Sequence, residues 1–170
     1  MEQKVQVKSH FYKFFCNLAP QTDNFQYPMY RDRLLVADRL EEVEKLPLFI
    51  DTLCENAGID ATHAFNLNLA LEEALVNVIQ YAYPKDGLTH EITLDAECDE
   101  NMIVFTLRDS GTPFDPTQRG DVDTTLSAQE RQIGGLGIFL VKQLMDEVSY
   151  EYVDGQNVLV MSKRILESRV

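Results

Sequence analysis

Glu73 and Asn77 lie four residues apart within residues 66–83, where apolar side chains recur with the period of a helix. That spacing is one helical turn, so a carboxylate and a carboxamide become neighbours on the surface. The pair suits two tasks. A glutamate can take a proton from a hydroxyl or a water, and an asparagine can offer a neutral oxygen to a hard cation such as Mg²⁺. On the helical wheel Leu67, Leu71, Ala74, Leu75, Val78 and Ala82 form a broad apolar face, with Asn68 and Glu72 at one solvent edge. Asn66, Glu73, Asn77 and Gln80 form a separate narrow stripe bordered by Leu69, Ala70 and Val76. An ordinary exposed polar face would give the same stripe. The apolar borders on both sides favour a cleft.

Two glycine clusters follow. The first is Asp109-Ser110-Gly111 at the end of an apolar run. Such an aspartate commonly starts a turn. In a pocket it could instead accept a hydrogen bond from an exocyclic amine such as that of adenine, with Gly111 letting a base approach the backbone. The second is Gly134-Gly135-Leu136-Gly137, which opens a helix over 138–146. Glycines at a helix N-terminus expose N–H groups and the positive end of the dipole, a place for phosphate, and they also serve as a hinge. Residues 117–133, between the clusters, are polar with little hydrophobic periodicity, as a lid would be. No GxxxxGK[ST] occurs, which excludes a P-loop.

These residues need elements to hold them. The spacing predicts a strand over 33–37, then a helix capped by Asp38 that runs to about 56 with Pro47 as a kink or restart. Gly58 ends it. Asp60 or Thr62 caps a second helix reaching about 83, stopped by Pro84 and Gly87. Alternating residues predict strands over 90–97 and 102–108, and a hairpin of 148–153 and 157–164 across Asp154-Gly155. Helices are not interleaved one per strand, so the expected fold is an α/β (α+β) two-layer sandwich. Its sheet is expected to be mixed and largely antiparallel, with helices on one face. Residues 1–30 read as an extension. They are rich in aromatics, carry Lys4, Lys8 and Lys13 against Glu2 and Asp23, and contain a short helix around 10–18 whose apolar face suggests docking or oligomer contact.

A chain of 170 residues that is 45% hydrophobic can bury one core. The net charge of −13, with no basic tract, argues against nucleic-acid binding. Cys16, Cys54 and Cys98 are scattered, no CxxC occurs, and His10, His63 and His90 stand in no ligand spacing with them. The expected state is reduced and cytoplasmic. No apolar run approaches a membrane span, and no secretory leader is seen.

The segments Glu73-Ala-Leu-Val-Asn77, Asp109-Ser-Gly111-Thr-Pro-Phe114-Asp115 and Gly134-Gly135-Leu136-Gly137-Ile-Phe-Leu-Val-Lys resemble, in order and spacing, the bacterial anti-sigma factor/serine-protein kinase family. That family belongs to the GHKL, histidine-kinase-like ATPases. The resemblance covers residues 31–166 and leaves 1–30 unaccounted for. It implies a Bergerat-type ATP-binding fold, usually a homodimer, with ATP and Mg²⁺ as cofactors. By position Glu73 would be the general base that activates a serine hydroxyl and Asn77 the Mg²⁺ ligand. Asp109 would read the adenine amine, Gly111 would shape the base pocket, and Gly135 and Gly137 would meet the phosphates. Phe114, Asp115, Gly134 and Leu136 belong to the same nucleotide-binding motifs. Tyr81 stands where a histidine is common and Asn157 where a threonine is common. Ile133 stands where an arginine often precedes the glycines, with Arg131 two positions earlier. Tyr81, Arg131 and Asn157 are still expected to contact nucleotide, and the arginine change bears on kinase efficiency. Such proteins hold a sigma factor inactive and phosphorylate a serine on a STAS-domain anti-anti-sigma partner. The alternative is a nucleotide-gated regulatory binding protein without efficient kinase activity. A histidine-kinase fragment is disfavoured because His10 lies in too short a segment, and a topoisomerase-type ATPase needs far more chain.

Overall fold

The computed structural model describes residues 30–84, 86–99, 101–118 and 136–165. The extension before Tyr30, its expected helix, most of the expected lid, and Arg131, Ile133, Gly134 and Gly135 lie outside the described residues. Among the described residues five strands make one sheet: β1 (Tyr30–Ala37), β2 (Glu91–Cys98), β3 (Met102–Asp109), β4 (Glu147–Val153) and β5 (Gln156–Arg164). Their order is β1-β2-β3-β5-β4. Three helices, α1 (Leu46–Ala57), α2 (Ala61–Tyr81) and α3 (Leu136–Leu144), supply the second layer.

All four strand pairings are antiparallel, so no described pair makes the sheet mixed. The topology explains this. Between β1 and β2 the helix pair α1–α2 returns the chain to the end it left, so β2 runs back beside β1. The single helix α3 carries the chain to the opposite end, and β4 therefore runs parallel to β3. Strand β5 is inserted between those two and pairs antiparallel with both.

Alternation sets one face of the sheet against the helices. Ile92, Leu94, Phe105, Leu107 and Met161 point toward Ile50 and Leu53 of α1, Leu71 and Leu75 of α2, and Val141 of α3 in one buried cluster. The cap of α2 is Asp60, whose Oδ1 accepts from Thr62 N at 2.8 Å and His63 N at 3.1 Å. Gly58 ends α1 at φ +67°. Asp154 (φ +53°) and Gly155 (φ +78°) form the left-handed pair that a two-residue hairpin needs.

Two local expectations are corrected. Asp38 caps no helix: its carboxylate accepts from the backbone N of His90 at 2.9 Å and faces that ring's Nδ1 at 2.9 Å. The segment that follows is a short 3-10 helix, Leu40–Lys45, with Arg39 at its N-cap position. Pro47 marks the restart, not a kink: the 3-10 helix ends at Lys45 and α1 begins at Leu46. It lies in the first turn of α1, where its missing N–H costs nothing. Strand β1 also starts three residues earlier than expected. Arg31 and Arg33 are tied across the sheet to Glu97 and Asp95, at 3.4 and 2.5 Å, and a reading by apolar alternation passes over such charged pairs.

Candidate nucleotide site

A cavity of about 250 Å³ opens between the C-terminal half of α2, the start of α3, the ends of β3 and β5, and the loop after β3. Register builds its floor. Asp109 ends β3 directly opposite Asn157 of β5, both on the inward face, so carboxylate and carboxamide meet side by side. Asn157 Nδ2 donates to Asp109 Oδ1 at 2.8 Å and to Thr112 O at 3.2 Å. Its Oδ1 accepts from Phe114 N at 3.2 Å and from the Tyr150 hydroxyl at 2.7 Å. Gly111 N donates to the same Asp109 Oδ1 at 2.8 Å. Asn157 thus fixes the loop to the sheet, and Asp109, only 5% exposed, lines the cavity with its Oδ1 engaged by Asn157 and Gly111. Burial pushes the Asp109 pKa above the usual carboxylate range, although the Asn157 and Gly111 hydrogen bonds pull it down. A buried carboxylate oxygen in an apolar recess is built to accept from a neutral donor.

Asn77 lines the cavity wall. Its Nδ2 donates to the carbonyl of Glu73 at 2.7 Å, which leaves Oδ1 as the atom offered to the cavity. Glu73 lies one turn back, half-buried, beneath the first turn of α3. A Cβ built on Gly137 would stand 2.5 Å from Glu73 Oε2 and 3.1 Å from Asn77 Nδ2. A side chain on the third glycine of the cluster would press on Glu73, and the N-terminal end of α3 lies directly on the Glu73–Asn77 pair. Its backbone dipole places positive potential beside the carboxylate. Gly137→Ala must push the Glu73 side chain aside, which a flexible carboxylate can accommodate. The expected result is a protein that melts within about 1 kcal/mol of the parent but loses about tenfold or more in any reaction that depends on where Glu73 points. Thermal melting beside an activity assay checks it.

Gly111 has a different reason from the one expected. A Cβ there would stand 2.5 Å from the carbonyl oxygen and 2.6 Å from the Cβ of Ala82, at the end of α2. Thr112 N donates to that same carbonyl at 2.7 Å. The loop is clamped onto the helix, and Gly111 does not line the cavity. Backbone cannot yield as a side chain can, so Gly111→Ala is expected to destabilise the fold by about 1–3 kcal/mol, read by urea denaturation.

Tyr81, 59% exposed, and Phe114, 47% exposed, stand at the cavity wall. Asp115 does not join them. Its Oδ1 accepts from Thr117 N at 2.8 Å and Oγ1 at 2.6 Å, and its Oδ2 from Gln118 Nε2 at 3.0 Å. Burial raises the Asp115 pKa, but these hydrogen bonds outweigh it and hold the group below its usual range. The carboxylate caps the 3-10 turn Pro116–Gln118. Lys142 of α3 donates to Thr117 O at 2.9 Å and ties that turn to the helix. Of the stripe on α2, Asn77 lines the cavity, whereas Asn66, Glu73 and Gln80 are absent from its wall. Leu136 begins α3, and Gly134, Gly135 and Arg131 fall outside the described residues.

Sequence reading missed Tyr150, Ile138 and a brace behind the loop. Tyr150 faces inward opposite Leu159, which the Asp154-Gly155 turn and strict alternation could have revealed. The brace joins distant segments: Ser110 N donates to the Tyr83 hydroxyl at 3.2 Å, and the Tyr83 ring stacks on His90 at 4.3 Å. His90 in turn is held by Asp38. No local pattern marks it.

Comparison with known proteins identifies the family. Residues 36–163 match the model of the histidine kinase-like ATPase domain. Serine-protein kinase RsbW of Listeria monocytogenes is 34% identical over 129 residues, 72% of this chain and 80% of the relative. The RsbW proteins of Bacillus licheniformis and Staphylococcus aureus are 27% and 28% identical over 134 residues, 76% of this chain and 83% and 84% of theirs. A solved structure of the RsbU and RsbW domains of a Mycobacterium tuberculosis protein superposes with a TM-score of 0.55 at 12% identity, over 81% of this chain and 33% of that one. The last likeness supports the fold. The chain belongs to the histidine kinase-like ATPase family and, within it, to the RsbW-type serine-protein kinases.

Proposed function

We propose that this chain binds Mg-ATP in the cavity and transfers the terminal phosphoryl group to a serine of a small STAS-domain anti-anti-sigma protein. In its other state it would hold a sigma factor inactive in the cytoplasm, as a homodimer, and phosphorylation of the partner would decide which protein it grips. The domain responsible is residues 31–166, with 1–30 as an extension.

One observation carries the reading. Asn77 forms a wall of the cavity whose floor is Asp109, and its helical neighbour Glu73 lies under the glycine-led end of α3. The residues present fit the expected ligands. Asp109 Oδ2 suits an adenine amine, and the apolar walls, Leu107, Ile138 and Leu159 among them, suit a base. Asn77 Oδ1 alone would hold Mg²⁺ from the protein side, which is the usual pattern when phosphates and waters complete the shell. When bound, Mg-ATP supplies the phosphoryl group with its charge partly offset. Glu73 takes the proton of the attacking serine hydroxyl, and the α3 N–H groups orient the phosphates.

Incubation with ATP labelled at the terminal phosphate and a candidate STAS protein tests the proposal. Expected is label on one partner serine, lost when that serine is alanine. Nucleotide binding without transfer would overturn the kinase half. It would favour a nucleotide-gated binding protein, the reading supported by Ile133 and Tyr81 at positions where the family commonly has arginine and histidine.

A further inference from the structure

The face of the sheet turned away from the helices is covered where a bare sheet would be open. Val104 of β3 and Val158 of β5 point outward yet are only 2% and 3% exposed. They form a second apolar cluster with Val160, and only Met102 and Val153, all strand residues, pack around it. Lateral neighbours on a sheet stand about 5 Å apart and shield the flanks of a side chain, not its tip. Glu97 of β2 points to the same face. Its Oε2 is buried without a hydrogen-bond partner, although its Oε1 lies 3.4 Å from Arg31 Nε. Toward the sheet's rim the cover thins, since Leu35 of β1, also outward, is 48% exposed. The cover is therefore centred on β3 and β5, and no described element supplies it.

We infer that residues 10–18, as one amphipathic helical turn-pair, dock in cis on this face over Val104, Val158 and Val160. The sequence fits the occupant. Phe11, Phe14, Phe15 and Leu18 recur at the i, i+3, i+4, i+7 spacing of a single helix face. Lys8, just before the segment, falls at one edge of that face, and the sheet offers Glu97 centrally and exposed Glu147 at the β4 edge. Reach is sufficient. Tyr30 enters the sheet beside Cys98, and β5 lies three strand spacings away, about 14 Å. The eleven residues 19–29 can span up to about 36–40 Å. Other parts of the chain fit less well. The five residues after Ile165 offer only Leu166 and Val170, and α3, which takes up the chain after residue 135, lies on the helix side.

The docked segment would make a three-layer molecule and back the two strands that carry Asp109 and Asn157 on their other side. A homodimer would then have to form through another surface.

Zero-length carbodiimide cross-linking of the full chain tests this, using an equimolar mixture of ¹⁴N- and ¹⁵N-labelled protein. Expected are links from Lys8 to Glu147 or Glu97 in which both peptides carry the same isotope. Links of mixed isotope would place a second copy on this face and overturn docking in cis, as would Lys8 linking only elsewhere. A second measurement uses the full-length Phe14→Ser/Phe15→Ser variant, which leaves the sandwich core intact. Its fluorescence with an apolar-surface dye should rise several-fold at unchanged far-ultraviolet circular dichroism. Dye binding equal to the parent would contradict the proposal.

Discussion

Asp109→Asn should weaken ATP binding about 100-fold, roughly 2.7 kcal/mol, while the nucleotide-free protein melts no lower than the parent. The asymmetry follows from which oxygen is already engaged. Oδ1 takes the N–H groups of Gly111 and Asn157, so in the variant the amide oxygen must stay there. The amide NH₂ then occupies the place of Oδ2 and points a donor at the donor of the base. An unmatched polar contact in a dry recess forfeits the bond and adds repulsion. Stability moves the other way. Burial holds the Asp109 pKa above its unfolded value, so the charged carboxylate costs the native state free energy at neutral pH. That cost is absent below the unfolded pKa and grows as pH rises through the folded one. The variant removes it. Nucleotide affinity should therefore increase with pH across that interval in the parent and stay flat in Asp109→Asn. Calorimetric titration and thermal melting read both halves. Equal affinities would remove Asp109 from the base site.

Glu73→Gln should lower phosphoryl transfer by about 10²–10⁴-fold with ATP affinity unchanged within a few fold. Glutamine keeps the size of the side chain and its contact with Gly137 but cannot take a proton from serine. Asn77, whose amide is held by the Glu73 backbone carbonyl and not by its side chain, should keep its position. Partner binding should survive. If transfer persisted at the parental rate, proton removal would lie with another group, and Glu73 would serve α3 docking alone. If transfer and nucleotide binding fell together, the carboxylate would be positioning the α3 end.

Much of this was legible in the sequence because it rests on local rules. Period, cap and breaker locate α2 through its apolar stripe and a cap at Asp60 or Thr62, of which the structure uses Asp60, and Asp154-Gly155 locates the last hairpin. The meeting of Asp109 with Asn157 was not local. It depends on β5 inserting between β3 and β4, a choice of topology that no residue within either strand announces. Asp38 misled for a related reason: an aspartate before a polar turn resembles a cap, and its real partner, His90, is fifty-two positions away. Asp115 was assigned to nucleotide by its motif and is spent on Thr117 and Gln118. Gly111 and Gly137 both read as places for a ligand to approach, and each also packs closely on protein, the Ala82 backbone in one case and the movable Glu73 carboxylate in the other.

The most direct measurement is a crystal structure of the full chain with a non-hydrolysable ATP analogue and Mg²⁺. The expected result has the adenine amine within hydrogen-bonding distance of Asp109 Oδ2, the cation on Asn77 Oδ1 and the terminal phosphate near Glu73. Nucleotide bound outside this cavity, or a base whose amine makes no contact with Asp109, would contradict the assignment.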